Sequence, residues 1–503
     1  MNRIGLPIFV LRHLLKRTAD NFHCCLFKPE TTQLALQKQL FSAFQSSQYF
    51  RSFADKSISQ WSEVPIIEYK DIQYLISQQI SQKNNFFTNE PVQFYEKTSG
   101  SRSAAKLIPY TKSLLNSFNN MFCIWAYDII INAPKLCKGK IYFCVSPQLA
   151  EINSNEFGLA NDSEYLNPWL RWFLQPFLVS SEGLNRLTDP ELFKHELAKR
   201  LLLTEDLEII SIWNPTFLKV HLDYIQIHQE SLCKELKNSL SKERSQLLLS
   251  SEIDWKKMWS HLKIISCWDS AHAASQANYL RSLFPTVMVQ GKGLLATEAP
   301  MTIPLIKAAG CVPMLTEVFF EFVDEAGKIH LLHELEIGAT YEIILSQKGG
   351  LYRYKIGDRV RVTHYYLNTP CLEFIGRSAA ISDLVGEKLH EDFVKDCLIK
   401  LDLKDTFFQS LLPVIEPISH YVLLLDKTQE DSEQMANRFD TLLQEAYHYR
   451  QARLLGQLAP IQVLVSSNIS DLVVKYQIKA GKKWGDIKHQ FILNPVIDIK
   501  LIF

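Results

Sequence analysis

Short apolar runs separated by helix-like stretches are the feature that most restricts the fold of this 503-residue chain. Four runs have the length of buried strands, at residues 141–145, 207–213, 263–268 and 286–290. Helical periodicity precedes the first run, at 114–131, and separates later ones, most clearly at 216–229. Strands that alternate with helices require helices packed on the faces of a mainly parallel sheet. We therefore predict an α/β fold for this part of the chain.

The first 85 or so residues lack this alternation and are predicted to be mainly helical, with the clearest amphipathic stretch at 31–47. Near the N-terminus, the spacing of Phe9, Leu11 and Leu14 suits an amphipathic helix packed on the body, and Arg12 interrupts any signal-peptide-like apolar run. No stretch reaches the roughly 18 apolar residues of a membrane span. We expect a soluble, cytoplasmic protein with no membrane partner.

Beyond residue 312 the pattern changes to successive strands, predicted at 318–323, 341–346, 351–354 and 360–365, which would form a meander or partial barrel. After a boundary near 377, the pattern predicts a helix at 391–401, a strand at 421–425, one helix at 432–455, a strand at 461–465 and a helix from 471. We predict a large N-terminal domain, 1–376, with mixed sheets, flanking helices and a small barrel-like part, and a small α+β C-terminal domain, 377–503.

Charge and cysteine content exclude two broad classes. Lys plus Arg and Asp plus Glu number 54 each, so the chain lacks the basic excess that a sequence-blind nucleic-acid binder needs. The ten cysteines form no C-x-x-C pair, so neither a zinc ribbon nor a thioredoxin-like redox site is indicated. Reduced, buried thiols are expected instead.

Two polar segments have the composition of a phosphate site. Residues 95–106 are rich in Ser, Thr and Gly and end in Lys106, which supplies a positive charge beside exposed backbone N–H groups. The spacing is not that of a Walker A loop. Residues 289–299 predict a strand and a turn that presents Thr297, a phosphate hydrogen-bond donor, and Glu298, a Mg²⁺ ligand. Taken singly, each segment could equally be an ordinary loop.

Three further segments follow in the chain. Alternation of Tyr352, Tyr354 and Ile356 predicts a strand that ends at Gly357 and leaves Asp358 at the strand end, where its carboxylate can accept both ribose hydroxyls. Arg377 and Lys388, near the predicted boundary, are candidate phosphate or ribose partners, and Lys488 lies in a basic turn at 479–488. Aspartate after glycine and charged loop residues are also common in ordinary turns.

The order of the five segments resembles the adenylate-forming superfamily and, within it, the Gretchen Hagen family of acyl acid amido synthetases, in a form similar to its bacterial-type branch. The similarity covers roughly residues 25–495, and the segment at 351–358 is its most distinctive part. One departure lies at 102–105, where the family's usual glycine is replaced by Ser103. A serine there has less access to positive φ than a glycine.

The resemblance implies an ATP- and Mg²⁺-dependent ligase that converts a carboxylic acid to an acyl-adenylate and pyrophosphate, then transfers the acyl group to an amine, typically that of an amino acid. Glu298 would hold the metal and Lys488, or alternatively Lys388, would be brought in as a catalytic residue when the C-terminal domain closes. The residues implied to bind ATP and its phosphates are Thr98, Ser99, Gly100, Ser101, Lys106, Thr297 (also a catalytic candidate), Asp358 and Arg377.

The expected partners are a small-molecule carboxylic acid and an amine, with no nucleic acid, in a monomer or weak dimer. Two alternatives remain open from the residues alone. A thioester-forming ligase would share the adenylation step and use coenzyme A as the acceptor, and no residue in the sequence selects an amine over a thiol. A diverged, non-catalytic nucleotide-binding relative would keep the fold alone, since fold does not fix function.

Overall fold

A computed structural model describes residues 5–53, 58–97, 106–136, 139–144, 168–270, 273–377, 381–403, 406, 408–479 and 490–501. The N-terminal segment is helical, as predicted, with α1 (Gly5–Cys25), α2 (Pro29–Ser46), α3 (Gln48–Arg51) and α4 (Tyr69–Gln82). In α1, Leu11 and Leu15 are buried against a later helix, whereas Phe9 and Leu14 remain more than half exposed. The first helix is therefore confirmed, but only part of its apolar face packs on the body.

A hairpin brackets the predicted phosphate loop. Strand β1 (Val92–Lys97) pairs antiparallel with β2 (Leu107–Thr111), and residues 98–105 between them lie outside the described part of the chain. Helix α5 (Lys112–Asn132) starts directly after β2, and the Thr111 hydroxyl caps it by accepting the Leu114 N–H at 3.3 Å. Leu114 and Phe118 enter the main hydrophobic core. This packing fixes the exit of the loop, at Lys106, beside that core.

The predicted parallel sheet is present. Its strands β3 (Lys140–Phe143), β4 (Leu207–Ser211), β5 (Ile264–Cys267) and β6 (Met288–Gly291) lie side by side in that order, all parallel. Every residue of β4 and β5 is buried, as expected for strands covered on both faces. The helices of this region are α6 (Pro168–Leu174), α7 (Pro190–Leu203), α8 (Pro215–Ile227), α9 (Gln229–Glu235), α10 (Lys242–Leu248), α11 (Trp255–Met258) and α12 (Ala274–Leu283). The α/β prediction is confirmed.

Antiparallel strands follow the sheet. Two short hairpins are formed by β7 (Leu295–Ala296) with β8 (Ala299–Pro300) and by β9 (Thr302–Leu305) with β10 (Gly310–Pro313). A five-stranded sheet then has the order β12-β11-β13-β14-β15. Its strands are β11 (Val318–Val323), β12 (Ile329–Leu331), β13 (Thr340–Gln347), β14 (Tyr354–Tyr366) and β15 (Thr369–Arg377).

The sequence prediction for β14 was wrong in one respect. No strand ends at Gly357, because a single 13-residue strand runs from Tyr354 to Tyr366 and takes the place of the two predicted strands. Asp358 therefore lies inside this strand, opposite Arg377 of β15, and not at a strand end. Gly357 has φ of +85°, and the pairing of β13 with β14 is irregular there. A glycine at positive φ allows a bulge within a continuous strand. In the sequence, such a glycine resembles the end of a strand.

The C-terminal region contains a three-stranded sheet of order β18-β19-β20 with helices packed on it. The predicted helix at 432–455 is wrong as a single element, because it is broken at residues 444–446 into two helices. Arg453 and the Tyr449 hydroxyl both bind Asp440, which holds the second helix against the first. The elements are β16 (Ile381–Ser382), β17 (Leu389–His390), α13 (Glu391–Leu401), β18 (Gln409–Val414), β19 (His420–Leu425), α14 (Ser432–Leu443), α15 (Tyr447–Leu454), β20 (Gln462–Val465) and α16 (Ile469–Lys479).

The C-terminal region rests on the parallel-sheet region through few contacts. The Gln457 amide donates to the Thr216 hydroxyl at 3.0 Å, and Leu455 joins the core around the parallel sheet. Gly386 faces the Trp268 ring, which would lie 3.8 Å from a Cβ at that position. Within the described residues, none of the helices is both long enough and apolar enough to pass through a bilayer.

Candidate active site

Lys106 is held by two tyrosines from distant parts of the chain. Its ammonium donates to the Tyr354 hydroxyl at 3.2 Å and lies 5.7 and 5.8 Å from the ring centres of Tyr69 and Tyr354. The Leu107 N–H donates to the Tyr69 hydroxyl at 2.8 Å, which ties the end of the loop to α4. The predicted phosphate-loop residues before it, Thr98 to Ser101 and also Ser103, lie outside the described residues.

Thr297 and Glu298 meet this cluster from another segment. They form the turn between β7 and β8, and the Tyr110 hydroxyl of β2 donates to the Thr297 carbonyl at 2.7 Å. Burial raises the pKa of the Tyr69 phenol, the bond from Leu107 lowers it, and the negative charge of Glu298 raises it again. The Tyr110–Thr297 hydrogen bond thus ties the β7–β8 turn to β2, the strand that directly follows Lys106. The structure brings together two of the segments predicted from sequence.

The chemistry of this turn fits a magnesium ion shared with phosphates. Glu298 is 5% exposed, and its negative charge acts on the Tyr69 phenol, whose ring the Lys106 ammonium also faces. The described residues contain no group of three or more His, Cys, Asp or Glu side chains that could cage a metal ion. Mg²⁺ commonly takes only one or two carboxylates and completes its shell with substrate phosphates and water. A single buried carboxylate, that of Glu298, is a donor set that fits this pattern.

Asp358 shares a strand with the tyrosine that binds Lys106. Buried and half-buried positions alternate along β14, and Tyr354, Ile356 and Asp358 are its first three buried residues. Four residues of strand span about 13 Å. Asp358 is 1% exposed and is paired in register with Arg377, whose side chain is not among those described. The strand thus places a buried carboxylate at a fixed distance from the lysine.

Lys388 lies in a tight loop of the C-terminal region, built around Glu387. The buried Glu387 carboxylate accepts the N–H groups of Leu384 and Val385 at 2.8 Å each, and the Tyr421 hydroxyl also donates to it. Burial raises the pKa of Glu387 to about 7. Lys388 itself has φ of +46°, a left-handed conformation that a non-glycine residue adopts only under constraint.

The charge of Lys388 acts on a histidine of the same region, His448. Burial, together with a smaller effect of the Lys388 charge, lowers the pKa of His448 to about 4. Lys488, the other candidate catalytic lysine, lies outside the described residues. Neither lysine is placed beside the phosphate cluster by the described contacts.

An open cavity lies at the carboxyl ends of the parallel strands, and its empty volume of about 590 Å³ includes the solvent at its mouth. Ligands of open parallel sheets bind at this edge. Its walls are mainly apolar and come from α5, β3 and β9, with Leu295 of the β7–β8 hairpin completing them. The apolar and aromatic residues around it include Met121, Phe122, Trp125, Phe143, Ile303 and Pro304. Thr297 lies two residues after Leu295 in the same hairpin. The cavity therefore adjoins the predicted phosphate site.

One corner of this cavity is polar, and sequence reasoning missed it. Lys292 directly follows β6, donates to the Ser211 hydroxyl at 2.8 Å and lies 4.8 Å from the centre of the Trp213 ring. Ser211 and Ser266 end or nearly end two parallel strands. A single lysine after a strand resembles a solvated turn in sequence. The rule that ligands bind at the carboxyl ends of parallel strands was the signal that could have identified it.

Arg353, inside the most distinctive sequence segment, has a structural role. Its guanidinium donates to both carboxylate oxygens of Glu321, at 2.9 and 2.8 Å, and to the carbonyls of Ser62 and Val64 at 2.9 and 2.7 Å. It adopts φ of +47°. This pair joins the segment before α4 to the five-stranded sheet and so positions Tyr69 opposite Tyr354.

Three family models match the chain. The GH3 family N-terminal domain matches residues 19–289, the GH3 family central domain 311–377 and the GH3 family C-terminal domain 396–496. The first of these alone covers more than half of the chain.

Curated relatives are plant amide-forming enzymes. A 4-substituted benzoates–glutamate ligase of Arabidopsis thaliana is 26% identical over 198 residues, 34% of each chain. A probable indole-3-acetic acid-amido synthetase of Oryza sativa is 24% identical over 200 residues, 36% of this chain and 34% of the relative. An indole-3-acetic acid-amido synthetase of Arabidopsis thaliana is 22% identical over 428 residues, 72% of this chain and 70% of the relative. The chain thus aligns with about a third of the length of the first two.

Solved structures share the fold over nearly the whole chain. An Arabidopsis acyl acid amido synthetase in complex with 2,4-DB superposes with a TM-score of 0.65 at 17% identity, covering 97% of this chain and 95% of that one. A 2-hydroxyisobutyryl-CoA ligase superposes with a TM-score of 0.54 at 12% identity, covering 93% and 90%. At these identities the likeness concerns the fold.

Proposed function

This chain belongs to the GH3 family, as its motifs predicted, and on that premise we propose that it is an ATP-dependent acyl acid amido synthetase. One observation carries the proposal. The Tyr110 hydroxyl of β2 donates to the Thr297 carbonyl, so the turn that carries the buried Glu298 is tied to the strand that follows Lys106, and Leu295 of the same hairpin lines a mainly apolar cavity. This is the combination that adenylation of an apolar carboxylic acid requires.

In the first half-reaction, a carboxylate oxygen of the acid attacks the α-phosphorus of ATP. The bond between the α- and β-phosphates breaks, and pyrophosphate leaves with the electron pair. Lys106, oriented by Tyr354, would stabilise negative charge that grows on the phosphates, and the Thr297 hydroxyl would donate to the α-phosphate. Positioning and charge stabilisation supply most of the catalysis in such transfers. When bound, Mg²⁺ would neutralise phosphate charge, and Glu298 would hold it.

Nucleotide binding is proposed to use the rest of the predicted set. Asp358 would accept the ribose hydroxyls, with Arg377 assisting from the paired strand. Thr98, Ser99, Gly100 and Ser101 would hold the phosphates, because the loop that carries them leads directly into Lys106. The support for Asp358 is its burial on the strand that also presents Tyr354 to that lysine.

In the second half-reaction, the amine nitrogen attacks the acyl carbon, the bond from this carbon to the phosphate oxygen breaks, and AMP leaves. The nitrogen loses its proton to solvent or a base. One relative is named as a ligase of 4-substituted benzoates and glutamate, and another as an amido synthetase of indole-3-acetic acid. These names support an amino acid as the amine. We further propose that the domain from 377 onward moves between half-reactions and brings in Lys488, or alternatively Lys388, as the catalytic lysine.

Product analysis tests this proposal and separates it from its alternatives. Purified enzyme is incubated with ATP, Mg²⁺ and a panel of carboxylic acids, and pyrophosphate release is measured. Acids that are activated are then incubated with amino acids or with coenzyme A, and the products are weighed by mass spectrometry. An amide product is the expected result. A thioester in place of the amide would identify a coenzyme A ligase, and ATP binding by calorimetry without pyrophosphate release from any acid would identify a non-catalytic nucleotide-binding relative.

A further inference from the structure

We propose that the cavity selects carboxylic acids that carry a second anionic group, and that Lys292, together with Ser211 and Ser266, binds this group at the end remote from the carboxylate that is activated. The substrate class would be an acid with an apolar body and a carboxylate, or a comparable anionic oxygen group, at its far end. The inference rests on the proposed function, which it refines by naming the acid.

The polar corner of the cavity, around Lys292, and the predicted phosphate site, around Thr297 and Glu298, lie on different elements of the structure. Lys292 and its partner Ser211 lie at the carboxyl edge of the parallel sheet. Thr297 and Glu298 lie in the turn of the β7–β8 hairpin, and the chain reaches that hairpin only after a turn at Gly293, which has φ of +71°. Leu295 lines the cavity on the hairpin side. An acid whose carboxylate faces the hairpin would therefore direct its tail toward the sheet edge.

The charge of this corner contrasts with the rest of the cavity. Among the described residues that line it, Lys292 is the one ionisable side chain, and the others are apolar or aromatic apart from two serines. A cation beside an apolar cavity increases binding affinity most for a ligand that carries an anionic group, because the ionic interaction is strong where water is excluded. A purely apolar tail would instead cover the ammonium and gain nothing from it.

Ser266 supplies an independent indication of a ligand. Its hydroxyl is buried, it lines the cavity, and the structure gives it no hydrogen-bond partner among the described residues. Buried hydroxyls are nearly always bonded, so one facing a cavity is expected to find its partner in what fills the cavity. Ser211 can use its remaining hydrogen-bonding capacity in the same way while it accepts from Lys292. Together the three side chains can donate to both oxygens of a carboxylate.

The aromatic wall restricts the body of the acid. The Trp213 ring lies under Lys292 and 5.9 Å from the ring of Trp268, which in turn contacts the C-terminal loop at Gly386. The indole N–H of Trp125 is already engaged by the Gln290 side chain at 3.0 Å. Its ring is therefore held as an apolar surface. A flat or extended apolar body fits between these walls.

The test compares matched acids that differ only at the far end. One pair is para-methylbenzoate and terephthalate, and the other is octanoate and octanedioate. Acid-dependent ATP–pyrophosphate exchange is measured for wild type, Lys292→Met and Lys292→Arg, and binding of each acid is measured by calorimetry without ATP. Lys219→Met is the matched control, because Lys219, like Lys292, lies over an aromatic ring, 5.8 Å from the centre of Tyr279, but it does not line the cavity.

Wild type is expected to favour the diacid of at least one pair by about tenfold or more in kcat/KM. Lys292→Met should abolish or reverse this preference while retaining exchange with the methyl-ended acid, Lys292→Arg should keep part of it, and Lys219→Met should keep all of it. A wild type that favours the methyl-ended acids would overturn the inference. So would a Lys292→Met enzyme that loses activity equally with every acid, since Lys292 would then hold the reacting carboxylate.

Calorimetry separates this inference from the proposed function. If no acid supports exchange, the proposed function fails, but tighter binding of the diacid to wild type than to Lys292→Met would still uphold the anion site. If exchange proceeds and the diacid binds both proteins equally, the anion site is refuted and the proposed function stands. Unfolding midpoints of the variants confirm that each protein is folded.

Discussion

Replacing Arg353 by methionine should destabilise the fold, because it removes the cation of a buried ion pair. Arg353 and Glu321 are 5% and 4% exposed, and two hydrogen bonds of 2.8 and 2.9 Å join them. Breaking such a pair from one side costs about 3–5 kcal/mol, because the remaining charge stays buried without its counterion. The two carbonyls that Arg353 also binds lose a donor each. Methionine fills much of the same volume, so the cavity contribution is small.

Urea unfolding followed by circular dichroism measures the loss. The double variant Arg353→Met/Glu321→Leu should recover much of it, since both charges are removed, although the Trp61 N–H then loses its acceptor. As a control, Arg438→Met breaks the half-exposed pair with Glu430 and should cost less than about 1 kcal/mol. A single Arg353→Met variant as stable as wild type, or a double variant no better than the single one, would refute the reasoning.

Two further substitutions probe the site and the C-terminal loop. Tyr354→Phe removes the hydroxyl that orients Lys106 and should slow pyrophosphate exchange about tenfold at an unchanged unfolding midpoint, and unchanged kinetic constants would count against this role. Glu387 has a raised pKa, about 7, so the folded state binds its proton more tightly than the unfolded state. Its contribution to stability is therefore full below its unfolded pKa of about 4.5 and is lost as the pH rises through about 7. In Glu387→Gln this fall, roughly 1–3 kcal/mol, should be absent from thermal melts at pH 5 and 8, and parallel pH profiles of variant and wild type would contradict the assignment.

Much of the architecture could be predicted from sequence because it depends on periodicity. The four parallel strands appeared as short apolar runs, most clearly β4 and β5, since strands buried on both faces have no polar side. The helices of the first 85 residues and the C-terminal strands followed in the same way. The family resemblance carried by the five motifs was also correct, because their order is more specific than any one of them.

The errors arose where tertiary contacts override local pattern. Gly357 suggested a strand end at Asp358, but its positive φ only bulges a strand that is held on both sides by its neighbours. The region 432–455 has helical periodicity throughout, yet the chain folds back on Asp440, a contact that no local pattern encodes. Lys292 was not predicted as a site residue, because its place at the cavity depends on which strands lie beside it. The local sequence around Lys292 does not show this.

The site itself was predicted unevenly. Lys106 and Glu298 were chosen from composition and resemblance, and the structure places the Lys106 ammonium 5.7 Å from the ring centre of Tyr69, which no motif contained. A tyrosine in a helical segment far from either motif carries no sequence signal of its own. The roles of Thr98 to Ser101 and of Lys488 stay predictions, since these residues lie outside the described part of the chain.

Acid-dependent ATP–pyrophosphate exchange in Glu298→Gln and Asp358→Asn tests the central claim, adenylate formation at this cluster, most directly. Wild type should exchange label from pyrophosphate into ATP with at least one acid, and only when the acid is present. Both variants should lose about a hundredfold or more of this rate while their unfolding midpoints stay close to wild type. Full exchange activity in both folded variants would contradict the assignment of the site.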